Sequence, residues 1–181
     1  CLVTVGGRPL LEIWLELLTL HGVREALINT HHLASMVQDF VRDWRGDLTI
    51  RLAHENELAG SAGTLRRNWE FLRFERRFLV CNADNLTDID ISSLVQFHDS
   101  RPAMLTMALF ETDRPSECGI VETDRRGKVR SFIEKPQTPR SNLANGGVYV
   151  MDNSIETLLP EREPADIGFD LIPRCLDKAY G

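Results

Sequence analysis

Phe78-Leu79-Val80-Cys81-Asn82-Ala83-Asp84-Asn85-Leu86-Thr87-Asp88-Ile89-Asp90 decides how this chain is read, because an apolar run breaks off into three carboxylates and two amides. Four consecutive apolar residues, with β-branched Val80 among them, suit a strand covered on both faces. In open α/β sheets ligands collect outside the carboxyl ends of such strands, so Asn82 and Asp84 stand where a site would form. The plainer alternative is that Asp84 and Asp88 only bond turn amides, as Asx residues often do.

Outward from that strand the chain alternates. Before it, Leu10, Ile13, Trp14, Leu17 and Leu18 share a helical face, with Pro9 suited to the first turn and Gly22 to the stop. Glu25 to Asn29 reads as a strand. Leu33 to Trp44 reads as an amphipathic helix ended by Gly46, and Leu48, Ile50 and Leu52 as the next strand. Ser61 to Phe71 supplies another helix. This β-α-β order predicts a parallel sheet with right-handed crossovers. After the opening strand come a short helix near Ser93 to His98 and a strand at Ala103 to Phe110. Then the rhythm changes: Gly119 to Thr123 and Lys128 to Glu134 flank Asp124-Arg125-Arg126-Gly127, a turn with glycine last, which predicts a hairpin. Gly147 to Met151 is one more strand. Asp170 to Lys178 is a terminal helix with Pro173 in its first turns. The expected fold class is α/β, a doubly wound mixed sheet with an antiparallel hairpin insertion, continuous over one domain, residues 1–181.

Composition excludes several classes. At 181 residues the chain fits one domain by the prior of ~100–200 residues, and 43% hydrophobic with 27% charged residues is ordinary for a globular chain. No apolar run approaches the ~18 residues of a membrane span. The net charge of −6 argues against a general nucleic-acid surface, so attraction for an anionic ligand must be local. Cys1, Cys81, Cys118 and Cys175 form no CxxC pair; they read as small hydrophobes in a reducing cytosol, and a cytoplasmic location is expected. A homo-oligomer is allowed by this reading and not required.

Other segments could carry chemistry. Leu58-Ala59-Gly60-Ser61-Ala62-Gly63-Thr64 links a strand to a helix with small residues that let a planar ligand or phosphate approach the backbone; the plainer reading makes Ser61 a cap and Gly60 a turn. Ser131-Phe132-Ile133-Glu134-Lys135-Pro136 ends a strand with adjacent opposite charges, and Pro136 blocks further pairing. Asn145-Gly146-Gly147-Val148-Tyr149 puts an amide before two glycines. His31 and His32 lack the spacing to share a metal. Asp170, in Asp166-Ile167-Gly168-Phe169-Asp170, is expected to serve a helix N-terminus. Arg66, Arg67 and the cluster from Arg73 to Arg77 look like a solvated face.

In spacing and order, Gly60-Ser61-Ala62-Gly63, Asn82-Ala83-Asp84, Phe132-Ile133-Glu134-Lys135-Pro136 and Asn145-Gly146-Gly147-Val148-Tyr149 resemble the successive motifs of the sugar-1-phosphate nucleotidyltransferases, most closely the mannose-1-phosphate guanylyltransferase type. The resemblance implies a Rossmann-like fold, a magnesium ion, a nucleoside triphosphate, a sugar 1-phosphate and release of pyrophosphate. It implies that Gly60 and Ser61 receive the base, that Asp84 binds the metal, and that Gly119, Glu134 and Asn145 contact the sugar. Asn82 joins this set beside Asp84, and Lys135 is implied to hold the sugar phosphate. Ala59, Ser61 and Ala83 depart from the residues common in the family but stay small. The family's glycine-rich signature loop and its later Trp-x-Asp-Ile-Gly metal segment are expected before Cys1 and after Gly181, so the chain is expected to be an interior portion of a longer protein. GTP with mannose 1-phosphate is the first expectation. Uridylyl transfer to a sugar or amino-sugar 1-phosphate is the second, and a noncatalytic subunit sensing nucleotide sugar the third. A dinucleotide-binding dehydrogenase is disfavoured because no G-x-G-x-x-G run is present.

Overall fold

The expected alternation of helices and strands forms, but its strands do not join into one sheet. In the computed structural model, which describes residues 1–181, the chain divides into two compact units: Cys1–Leu58 with Ala83–Ser92, and Ala59–Asn82 with Ser93–Gly181.

In the first unit a short antiparallel hairpin, Thr4–Val5 (β1) and Arg8–Pro9 (β2), runs directly into the helix Leu10–Leu20 (α1). Pro9 presets φ at −57° before the first turn, and Leu10, Leu11, Trp14 and Leu15 form the buried face. Glu25–Thr30 (β3), Ala34–Asp43 (α2) and Thr49–His54 (β4) complete a β-α-β unit whose strands pair in parallel from Glu25 with Thr49 to Thr30 with His54. Leu11, Leu15, Val37 and Leu48 are its buried cluster. The turn after Asn82 belongs here too, since the Trp14 indole N–H donates to the Asn85 carbonyl at 2.8 Å.

The second unit holds Ser61–Arg67 (α3), Trp69–Leu72 (α4), Arg77–Cys81 (β5) and most of Ile91–Asp99 (α5). Leu105–Glu111 (β6), Gly119–Thr123 (β7), Val129–Glu134 (β8), Leu143–Asp152 (β9), Ile172–Cys175 (α6) and Ala179–Tyr180 (β10) follow. Its six-stranded sheet runs β10-β6-β9-β7-β8, with β5 also on β9; β10 is parallel to β6 and the other pairings are antiparallel. The expected hairpin is β7–β8, and the mixed α/β, Rossmann-like class stands. What differs is the partner of β5: the sequence reading put β5 in a sheet with β3 and β4, whereas it pairs in antiparallel register with β9, from Arg77 with Asp152 to Cys81 with Val148. The β3–β4 pair forms a sheet of its own. β5 is only partly buried, with Phe78 alone fully covered, and a strand carries no local mark of which distant strand its ladder groups will pair with.

Strand β9 is the hub. One edge pairs with β6; the other is shared by β5, on Val148–Asp152, and β7, at Ala144. Between those two partners lies Asn145-Gly146-Gly147. There the ladder against β6 slips from Met107 with Tyr149 to Leu109 with Asn145, so that Ala108 alone faces Gly146, Gly147 and Val148. Gly147 makes this bulge at φ +71°, a conformation open to glycine at little cost. The core gathers on the same strands: Leu105, Met107 and Met151 are wholly buried, with Ile155, Leu171 and Ile172 against them. Each such side chain contributes roughly 1.5–3 kcal/mol by leaving water.

Two helices also differ from expectation. The one from Ser61 breaks at Asn68, which leaves the helical region at φ −106° and ψ 21° while its backbone amide, at 3.1 Å, and its side-chain amide, at 2.9 Å, both donate to Thr64 O. The terminal one begins earlier, as a π turn over Ile167–Leu171, and continues through α6 into a 3₁₀ turn at Leu176–Lys178. All four cysteines are free thiols. No helix is long and apolar enough to cross a membrane.

Candidate functional site

Seven of the eight expected residues lie in the second unit, and only Asp84 does not. Glu134 closes β8 directly opposite Gly119, the first residue of β7. A Cβ added at Gly119 would lie 2.6 Å from Glu134 Oε2, and one added at Gly168 would meet the same oxygen at 2.6 Å. The Glu134 carboxylate therefore lies between two positions that carry no side chain. Gly119 acts here by making room, with Glu134 as the group a ligand would meet. Burial raises the Glu134 pKa above the ordinary carboxylate value, the Asp166 charge raises it further, and Lys135 works in the opposite direction.

Lys135 follows in the left-handed region, at φ +46°, with its amide held by Cys118 O at 3.0 Å. That conformation costs an L-residue about 1–2 kcal/mol. It turns the chain out of β8 before buried Pro136 and leaves the lysine exposed. Strain of this kind is maintained where surrounding structure over-determines it.

Asn145 stands at the bulge of β9. Its Oδ1 accepts the Gly147 amide at 3.1 Å and its Nδ2 donates to the Tyr149 hydroxyl at 2.6 Å, so both ends of the amide are oriented. Burial pushes the Tyr149 phenol up to about 12, which keeps it neutral. Asn82 is exposed just beyond β5, its backbone amide donating to Gly147 O at 2.8 Å, which ties the end of the opening strand to the same bulge.

The Gly60–Ser61 loop is fastened to the segment Ala165-Asp166. Ala165 N donates to Ala59 O at 2.8 Å, and Ala165 O accepts from Ala62 N at 3.0 Å and Gly63 N at 3.2 Å. Ser61 is not the cap of α3: Gly60 holds that position at φ +76°, and the Ser61 hydroxyl donates to Asp166 Oδ2 at 2.7 Å. The capping acid of the terminal helix is Asp166 rather than Asp170; its Oδ1 accepts from Gly168 N at 2.7 Å and Phe169 N at 3.3 Å. Asp170 accepts from Asp166 N and pairs with Arg162. Arg66 and Arg67, expected on a solvated face, are exposed and also hold the loop before Ala165, Arg66 on the carbonyls of Pro160 and Glu161 and Arg67 on the Glu163 carboxylate. Asp166 and Gly168 were legible only as an acid two residues before a glycine.

Asp84 lies in the first unit, exposed in the turn after Asn82. No group of three or more metal-ligating side chains exists in the chain. Magnesium, which keeps waters and takes phosphate oxygens, asks a protein for only one or two carboxylates. Asp84 can supply one. The arrangement as a whole offers a carboxylate and an exposed cation at the end of β8 and an oriented amide at the bulge of β9, groups suited to sugar hydroxyls and a phosphate.

The sequence family described as Nucleotidyl transferase matches residues 1–181. A UTP--glucose-1-phosphate uridylyltransferase of Synechocystis is 30% identical over 191 residues, covering 97% of this chain and 49% of that protein. A probable mannose-1-phosphate guanylyltransferase 1 of Oryza sativa is 29% identical over 178 residues, covering 96% and 49%. Among solved structures, HddC from Yersinia pseudotuberculosis complexed with GMP-PN superposes with a TM-score of 0.79 at 22% identity, covering 95% of this chain and 75% of that one. The chain spans about half the length of the curated relatives it matches.

Proposed function

The chain belongs to the nucleotidyl transferase family, specifically its sugar-1-phosphate branch, and we propose that its protein joins a nucleoside triphosphate to a sugar 1-phosphate and releases pyrophosphate, with GTP and mannose 1-phosphate as the substrates. The observation that carries this reading is the end of β8: Glu134 seated between Gly119 and Gly168, with Lys135 turned left-handed beside it. A carboxylate that accepts from sugar hydroxyls, next to an ammonium that binds phosphate, matches the two ends of a sugar 1-phosphate.

An oxygen of the sugar phosphate attacks the α-phosphorus of the nucleotide. One phosphorus–oxygen bond forms, the bond to pyrophosphate breaks, and no protein nucleophile is needed. Both reactants are anionic, so Lys135 offsets charge on the attacking phosphate while Glu134 and Asn145 orient the ring. Backbone at Gly60 and Ser61 receives the base, and Asn82 contacts a substrate. Magnesium, held through Asp84, would supply charge neutralisation on the triphosphate. GTP is favoured by the Gly60 loop and by the guanylyltransferase name of the rice relative; the Synechocystis relative's name supports UTP as the second reading.

The test is pyrophosphate release by the full-length protein across a panel of nucleoside triphosphates and sugar 1-phosphates, with and without magnesium. Asp84→Asn should lower turnover on the order of a hundredfold. Lys135→Ala should raise KM for the sugar phosphate more than for the nucleotide. Lys135→Gly should show the same kinetic loss but regain about 1 kcal/mol of stability by relieving the backbone. Equal effects of Lys135→Ala on both substrates would remove Lys135 from this role.

A further inference from the structure

Nothing in the family resemblance gives Asp166 a part, yet it touches both halves of the site within the second unit. On one side its Oδ2 accepts from the Ser61 hydroxyl, which in turn accepts from Ile167 N at 2.8 Å. On the other side its Oδ1 holds the amides of Gly168 and Phe169. This fixes the backbone of Gly168, against which the Glu134 carboxylate rests. A single turn thus connects the loop that receives the base to the acid that faces the sugar.

We propose that Asp166 is a positioning residue that locks the Ser61 loop and the Glu134 carboxylate into one frame, so that the sites for the two substrates are set relative to each other by one side chain. The inference rests on the function proposed above. The charged and titratable groups facing Glu134 are Asp166 from the π turn and Lys135 beside it, with Tyr149 of β9 also within reach of its charge. Of these, Asp166 opposes ionisation of Glu134 and Lys135 favours it. Replacing Asp166 by a neutral isostere therefore makes Glu134 easier to ionise, and Ser61 loses the acceptor for its proton.

The experiment compares full-length wild type with Asp166→Asn and Ser61→Ala. Two measurements are made: the pH dependence of kcat/KM for each substrate, and the carboxyl titration of Glu134 by ¹³C NMR, which does not depend on turnover. In Asp166→Asn the Glu134 midpoint and the acid limb for the sugar phosphate should both move to lower pH, by about half a unit or more. The kcat/KM should fall roughly tenfold for both substrates. Ser61→Ala should reproduce the loss for the nucleotide without moving the Glu134 midpoint. An unmoved midpoint in Asp166→Asn overturns the coupling. A moved midpoint with unchanged kinetics, or a loss of thermal stability alone, reduces Asp166 to a helix cap and overturns the positioning role. Wild type that releases no pyrophosphate with any substrate pair overturns the proposed function instead, and the NMR titration separates that failure from this one.

Discussion

Gly60 turns the loop before α3 at φ +76°, and a methyl group there would overlap Ala165 O. That oxygen cannot retreat easily, because it accepts from Ala62 N and Gly63 N. At Gly119 the obstruction is different: the nearest atom to an added Cβ is the Glu134 carboxylate, the far end of a flexible side chain, with the Phe132 ring next. Gly60→Ala should therefore cost about 2 kcal/mol or more of unfolding free energy in urea, since it combines left-handed strain with a backbone clash. Gly119→Ala should cost less in stability while raising KM for the sugar phosphate through displaced Glu134. Equal stability losses would mean that Phe132 and Glu134 are as immobile as backbone. Gly60 was visible in the sequence because small residues at a strand–helix junction signal a tight turn. The bond from Ser61 to Asp166 was not, because the two lie 105 positions apart.

Helix α5 and strand β6 are joined through a buried polar pair, with a His98 ring nitrogen 2.9 Å from Thr106 Oγ1. Burial lowers the His98 pKa; nearby Asp99 and Asp152 oppose that shift and Arg77 and Arg76 assist it. With an unfolded value near ~6.5, the unfolded chain binds the proton more readily below that pH. The contribution of neutral His98 is complete above the unfolded value and is lost as pH falls through the window below it. Urea midpoints should decline from pH 7.5 to 5, and His98→Asn, which keeps a polar partner for Thr106, should flatten that decline. An unchanged pH dependence in the variant would show that other groups govern it. At this scale the helices, the β7–β8 hairpin and most strands were legible, since apolar periodicity and Gly or Pro punctuation are local signals. The bulge of β9 was foreshadowed only by its two glycines. The break at Asn68 carries no periodic signature, because apolar spacing continues across it to Trp69 and Leu72.

Across the whole molecule the two units are unequal in what holds them. One rests on a two-stranded parallel sheet and a cluster of four buried residues, the other on six strands around a cluster of nineteen. Two strands alone are marginal, so local opening should cost less in the first unit. Hydrogen exchange on the 181-residue chain should show amides of β3 and β4 exchanging about tenfold or more faster than those of β9. Equal protection would place both units in one cooperative transition. The sequence by itself determined which segments are helices and strands, where the hairpin lies, and which polar residues stand at strand ends. Each of these follows from side-chain pattern and turn chemistry within a few residues. Only the tertiary structure decided that β5 pairs with β9 rather than with the β3–β4 pair, that Gly119 and Gly168 together make the seat of Glu134, and that Asp166 binds the Ser61 loop to it. Those outcomes depend on which distant backbone groups satisfy one another and on the space left where side chains are absent, and neither is written in any local stretch of the chain.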